Sequence, residues 1–177
     1  MIKVLIPASR IKKQVSKLGK EISNFYKNKV SKEKPLIVII IQKGAFMFGA
    51  DLVRQINLPV DLRFIRIASY KGEIKPQGDP EIFDKIKSGI KNEHILVIED
   101  ILDTGKTLVF INNHLKKLRP QSLNYAVLLT KIAKRHVECP KVKFRAFNVP
   151  NKFVVGYGLD FNEIYRNLPY VAILEKE

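Results

Sequence analysis

The sequence predicts an α/β domain in which helices flank one mostly parallel central sheet, with residues 1–177 forming a single unit. Three observations predict it. Apolar runs of strand length alternate with segments of helical spacing, the order that parallel sheets require. The 177 residues suit one sizeable core and are too few for two ordinary domains. Lys43, Ser69, Glu99 and Lys131 each fall just after a predicted strand, and ligands of such sheets sit beyond the carboxyl ends of the strands.

The elements follow in order. Ile11, Val15, Leu18, Ile22 and Phe25 make one apolar stripe on a helix of about four turns, with Ser9 as its expected N-cap. Pro35 opens the run Leu36 to Ile41, a strand buried on both faces. Gln42-Lys43-Gly44 is a tight turn, and Phe46, Ala50, Val53 and Ile56 return to helical spacing. Val60 to Ile67 is a further strand. Ser69 to Pro80 holds Gly72, Pro76, Gly78 and Pro80, which marks a long irregular loop, and loops of that kind are usually functional. His94 to Ile98 is a short buried strand, Asp100 to Gly105 a turn, and Thr107 to Leu118 a helix stopped near Pro120. Leu123 to Leu129, Phe153 to Gly158 and Tyr170 to Leu174 complete the strands.

Composition narrows the class. Apolar residues make up 46% and charged residues 28%, as in a soluble globular chain. The apolar runs are too short for a membrane helix, and the first ten residues lack a signal-like segment. The lone Cys139 forms no internal disulfide and belongs to no zinc cluster, so a cytoplasmic protein without a membrane partner is expected. The net charge is +15, and residues 1–34 carry nine lysines and one arginine against Glu21 and Glu33, a net +8. Lysines outnumber arginines 24 to 8, whereas base-edge readout favours arginine. A solvated basic face is expected, and no nucleic-acid partner.

The chemistry is concentrated between Ile95 and Leu108. An apolar strand delivers Glu99 and Asp100, Asp103 follows, and Thr104-Gly105-Lys106-Thr107 leads into a helix. Gly105-Lys106-Thr107 resembles the end of an ATP-binding P-loop, but Asp100 stands where that loop needs its first glycine, and its carboxylate would repel phosphate. A smaller cradle fits better. Backbone N–H groups and two hydroxyls at a helix N-terminus suit a terminal phosphate, favoured by about 0.3–1 kcal/mol of dipole interaction. The acidic pair ahead of it suits vicinal hydroxyls or a divalent metal. Together these make a ribose 5-phosphate site; read alone, the same residues also fit a helix cap preceded by two solvated acids.

Val97-Ile-Glu-Asp-Ile-Leu-Asp-Thr-Gly-Lys-Thr107 resembles the phosphoribosyl-diphosphate signature of type I phosphoribosyltransferases. The stretch Val149 to Pro169, with Lys43-Gly44, Phe46 to Leu52 and Ser69-Tyr70, narrows the resemblance to the hypoxanthine-guanine phosphoribosyltransferases. It runs from about residue 36 to the C-terminus. It implies a type I fold with a small hood formed by the C-terminal segment. It also implies transfer of ribose 5-phosphate from phosphoribosyl diphosphate to hypoxanthine and guanine, with Mg2+ as cofactor and a homodimer or homotetramer as the assembly.

The resemblance also implies roles. Glu99 and Asp100 hold the ribose hydroxyls and help place magnesium, Asp103 is the base for the purine N7 proton, and Thr104, Gly105, Lys106 and Thr107 hold the 5′-phosphate. Lys43 and Gly44 form the pyrophosphate loop, where the peptide before the lysine is commonly cis; Gln42 replaces the family's usual apolar residue there. Arg166 clamps the pyrophosphate, a task that suits a guanidinium fork. Lys131, Lys152, Phe153, Val154 and Asp160 form the base pocket. In it Lys131 donates to the 6-oxygen, Phe153 stacks on the ring, the Val154 backbone reads the ring edge and Asp160 completes a second magnesium shell. The loop opening at Ser69-Tyr70 closes over the reaction, although beyond Tyr70 it departs from common family versions. Two rival readings stay open on the residues: a nucleotide sensor that binds RNA through its basic face, and a transferase for another base.

Overall fold

The structure, a computed structural model, describes residues 1–68, 81–82, 86, 89–132 and 138–175. Its elements are β1 (Ile2–Ile6), α1 (Ala8–Tyr26), β2 (Leu36–Gln42), α2 (Phe46–Val53), β3 (Val60–Ala68), β4 (Glu81–Ile82), β5 (His94–Leu102), α3 (Lys106–Lys116), β6 (Ser122–Lys131), β7 (Phe144–Val149), β8 (Val154–Val155) and β9 (Val171–Leu174). The main sheet has the order β4-β3-β2-β5-β6-β7, and its last five strands run parallel while β4 pairs antiparallel with β3. The expected fold is therefore present.

Strand alternation divides the core into two layers. Val38, Ile40, Leu96, Ile98, Ala126 and Leu128 point to the face covered by α1 and α2. Ile37, Ile39, Ile95, Val97, Tyr125 and Val127 point to the other, where α3 supplies Leu108, Ile111 and Leu115. Successive side chains of a strand face opposite ways, so a strand covered on both faces must be apolar throughout, as β2 is. Tyr26 closes the end of α1; it is fully buried, accepts a 2.9 Å bond from Asn124, and burial pushes its hydroxyl up to about 12.

Four expectations are corrected. Helix α1 begins at Ala8 with Pro7 as N-cap, so Ser9 lies within the first turn and caps nothing. Pro7, at φ −70° and ψ 154°, turns the chain out of β1, and its carbonyl accepts from Arg10 and Ile11. Helix α2 ends at Val53, not Ile56, because Gln55 and Ile56 donate three residues back and tighten the last turn. Strand β5 continues to Leu102, held by β6 through Leu102–Thr130, so Glu99 and Asp100 stand on a strand and only Asp103 begins the turn. The hood is not built from the C-terminal segment alone, since N-terminal β1 pairs antiparallel with β9, which also pairs with β8.

The hood is tied to the main domain close to the strand ends. The Tyr157 hydroxyl donates to Asp51 on α2 at 2.6 Å. Gly158, at φ +100°, passes so near the Gly44 carbonyl that any Cβ would overlap it. Among the described residues, no helix is long and apolar enough to cross a membrane.

Candidate active site

The carboxyl ends of β2, β5 and β6 converge with the hood. Glu99, Asp100, Asp103, Thr104, Gly105 and Thr107 line one cleft of about 160 Å³ between the end of β5 and the start of α3. Gly105 adopts φ +87°, which lets the chain reverse into the helix without a side-chain clash, and the Thr104 hydroxyl accepts from Lys106 N–H at 3.4 Å. Asp103 therefore gives α3 no side-chain cap; its side chain is 46% exposed.

Glu99 is 6% exposed. Its Oε1 accepts from the Asp100 N–H at 3.2 Å, while its buried Oε2 has no hydrogen-bond partner among the described residues. Burial pushes the Glu99 carboxyl well above the usual carboxylate range, and the neighbouring Asp100 charge adds to it. A buried acceptor without a donor beside a second carboxylate fits hydroxyl groups or a divalent cation. Asp100 accepts from Ile101 N–H at 2.7 Å, and its other oxygen lies against Gly44 so closely that a Cβ there would overlap it. Glycine at position 44 thus brings the loop after β2 onto the acidic pair.

The peptide Gln42–Lys43 is cis. Lys43 Nζ lies 3.2 Å from Glu163 Oε2, and the same oxygen accepts from Arg166 Nη2 at 3.1 Å. The two cations expected to hold pyrophosphate therefore share one carboxylate. Arg166 is oriented further by the Gly158 carbonyl at 2.8 Å and Asp160 Oδ1 at 2.7 Å. Asp160 Oδ2 in turn accepts from Glu163 N–H at 2.9 Å, so both of its oxygens are engaged within the hood. Glu163 is absent from the expected site. The sequence signal was slight: a carboxylate three residues before Arg166, in a loop that folds back through positive φ at Asn162, Glu163 and Tyr165.

On the opposite side, Lys131 ends β6 and its Nζ donates to Asp103 Oδ2 at 2.5 Å. The lysine side chain is only 13% exposed, so its ammonium is held in one direction. Val154 is buried in β8 opposite Ile173, and Phe153 just before it is half exposed, edge-on to Phe161 at 5.6 Å. Lys152 is exposed and lies outside the residues lining the acidic cleft. Ser69, Tyr70 and the expected closing loop lie outside the described residues. Among the described residues, no group of three or more His, Cys, Asp or Glu side chains forms a ready metal cluster.

Comparison with known proteins bears on the family and the fold. Residues 8–162 match the phosphoribosyl transferase domain family. The chain is 39% identical over 171 residues to hypoxanthine phosphoribosyltransferase of Haemophilus influenzae, covering 97% of this chain and 94% of that protein. It is 42% identical over 177 residues to hypoxanthine-guanine phosphoribosyltransferase of Dictyostelium discoideum, covering 98% and 96%. A crystal structure of a Bacillus anthracis hypoxanthine-guanine phosphoribosyltransferase superposes with a TM-score of 0.87 at 32% identity over 98% of both chains. The Trypanosoma cruzi hypoxanthine phosphoribosyl transferase reaches 0.89 at 35% identity over 98% of this chain and 91% of its own. By the family match over residues 8–162 and these near-full-length relatives, the chain belongs to the hypoxanthine-guanine phosphoribosyltransferase family.

Proposed function

We infer that the protein transfers the 5-phosphoribosyl group from phosphoribosyl diphosphate to hypoxanthine and guanine, giving IMP and GMP and releasing pyrophosphate. The observation that carries this reading is the Lys131–Asp103 pair beside the Thr104–Thr107 turn. It sets a hydrogen-bond donor and a proton acceptor next to each other at the edge of a phosphate cradle, the two functions that a 6-oxopurine needs at O6 and N7.

In this reading Thr104, Gly105, Lys106 and Thr107 hold the 5′-phosphate, and Glu99 and Asp100 hold the ribose hydroxyls. The bond from the anomeric carbon to pyrophosphate breaks with its electron pair on the leaving oxygen. A purine ring nitrogen forms the new bond, and the N7 proton passes to Asp103. Lys43 and Arg166 move from Glu163 to the departing pyrophosphate and stabilise its growing charge. Glu99 and Asp100 would hold magnesium, which would supply positive charge against the diphosphate. Asp160 orients Arg166, and once Arg166 turns to the pyrophosphate the Asp160 Oδ1 would be released to a second magnesium. Phe153 stacks on the purine, the Val154 backbone reads its edge, Lys152 supports the pocket rim, and the Ser69-Tyr70 loop closes over the site.

The reading extends to assembly and place. Leu62 and Phe64 share one face of β3 and are 42% and 46% exposed, and Phe46 opens α2 at 37%. Apolar faces left this open favour a homodimer or homotetramer. A cytoplasmic location agrees with the single, unpaired Cys139. The test is nucleotide formation with magnesium, phosphoribosyl diphosphate and each of hypoxanthine, guanine and adenine. Hypoxanthine and guanine turn over, and adenine, which presents a donor to the Lys131 donor, is rejected by roughly 10⁴-fold. Adenine turnover matching that of hypoxanthine, or no turnover of any base, overturns the reading.

A further inference from the structure

The chemistry above leaves the basic first helix without a task, and the structure shows where its charge goes. Arg10, Lys13, Lys17 and Lys20 are exposed and form one wall of a groove of about 760 Å³, whose other wall is Ala146 and Phe147 of the edge strand β7. Among the described residues no carboxylate lines this groove, and Glu21, the only acid on α1, is not part of it. The Arg10 guanidinium lies 5.6 Å from the centre of the half-buried Phe147 ring. Beyond the far end of α1, Lys29 and Lys143 converge on the Phe25 ring at 3.3 and 4.1 Å. The groove shares no residue with the acidic cleft.

We propose that this groove binds single-stranded RNA without sequence preference. A positively charged groove that tracks the backbone is how single strands are held without sequence preference, the phosphates supplying the affinity. The dominance of lysine over arginine argues against reading base edges, yet it suits a site that reads only phosphate charge. Arg10 to Lys20 spans about 15 Å of helix, the length of about four phosphates at ~3.4 Å per nucleotide of one strand. A lipid surface fits less well. The apolar face of α1 is already buried through Ile11, Val15, Leu18, Ile22 and Tyr26, so the helix has no apolar face to insert.

The test is fluorescence anisotropy of a labelled oligouridylate with the full chain. Four phosphate contacts give a logarithmic salt slope of about −2.8, so affinity falls about 50-fold between about 50 and 200 mM salt. The K13Q/K17Q/K20Q variant keeps the wild-type Tm, because all three side chains are exposed, but its slope drops to about −0.7 and its fall over the same range to about threefold. The K116Q/K117Q variant, altered at the exposed end of α3, binds as the wild type does. No wild-type binding at about 50 mM salt overturns the proposal. So does unchanged binding by the triple variant, an equal loss in K116Q/K117Q, or stronger recruitment to phosphatidylserine vesicles than to RNA.

Discussion

Glu163 holds Lys43 and Arg166, the two cations proposed to receive the departing pyrophosphate, and Glu163→Gln removes that competition. Its Oε2 lies 3.2 Å from Lys43 Nζ and 3.1 Å from Arg166 Nη2. The pairs are partly open to water, with the Lys43 side chain 52% and the Glu163 side chain 42% exposed, so each belongs to the weak class of about 0.2–1 kcal/mol. Two mid-range pairs give about 1 kcal/mol, or about fivefold in a binding constant. Arg166 stays oriented in the variant by Asp160 and the Gly158 carbonyl, so the cations remain in place while the competitor loses its charge. Phosphoribosyl diphosphate should therefore bind E163Q about fivefold more tightly, with kcat for hypoxanthine unchanged. Calorimetric titration of phosphoribosyl diphosphate gives the Kd, and initial rates give kcat. An unchanged or weaker Kd refutes the view that Glu163 stands in the pyrophosphate position.

Three further substitutions probe other parts of the account. Lys131→Met keeps the aliphatic stem and removes the donor, so the preference for hypoxanthine over adenine in kcat/KM falls by about 100-fold or more; a preserved preference moves the O6 contact elsewhere. Gly44→Ala puts a methyl group into the Asp100 carboxylate, and a displacement of about 1 Å there costs about 100-fold in kcat/KM while circular dichroism stays native. His94 lies far from the cleft, 2.7 Å from the Ser122 hydroxyl, and burial, with Lys29 and Lys34 adding to it, holds its imidazole below the usual 6.5. The unfolded chain therefore takes up the proton first, and stability is full above about pH 6.5 and declines as the pH falls below it. Urea unfolding at several pH values should show this slope in the wild type and a flatter one in His94→Gln; equal slopes remove His94 as the source.

Much of this was legible in the chain, and the gaps have physical causes. The α1 stripe was readable because Ile11, Val15, Leu18 and Ile22 are all core residues, and β2 because it is apolar on both faces. Strand β1 was not. Its residues are mostly exposed, and its strand character comes from pairing with β9 at the other end of the chain. Strand β7 mixes Arg145 and Asn148 with its apolar positions because it is an edge, open on one side. The acidic motif revealed its residue types, yet placed Asp100 in the turn, since the strand extends only through pairing with β6. The Lys131–Asp103 pair and the hold of Glu163 on Lys43 span 28 and 120 residues, and no local pattern encodes contacts at such separations.

The central claim is that Asp103 takes a proton from the purine at a site where Lys131 fixes the base. It is tested most directly by kcat for hypoxanthine in Asp103→Asn. Asparagine keeps an acceptor for Lys131 and the shape of the turn, so binding of phosphoribosyl diphosphate should change little. Loss of a positioned general base lowers kcat by about 10²–10⁴-fold. A variant that turns over hypoxanthine at the wild-type rate contradicts the account.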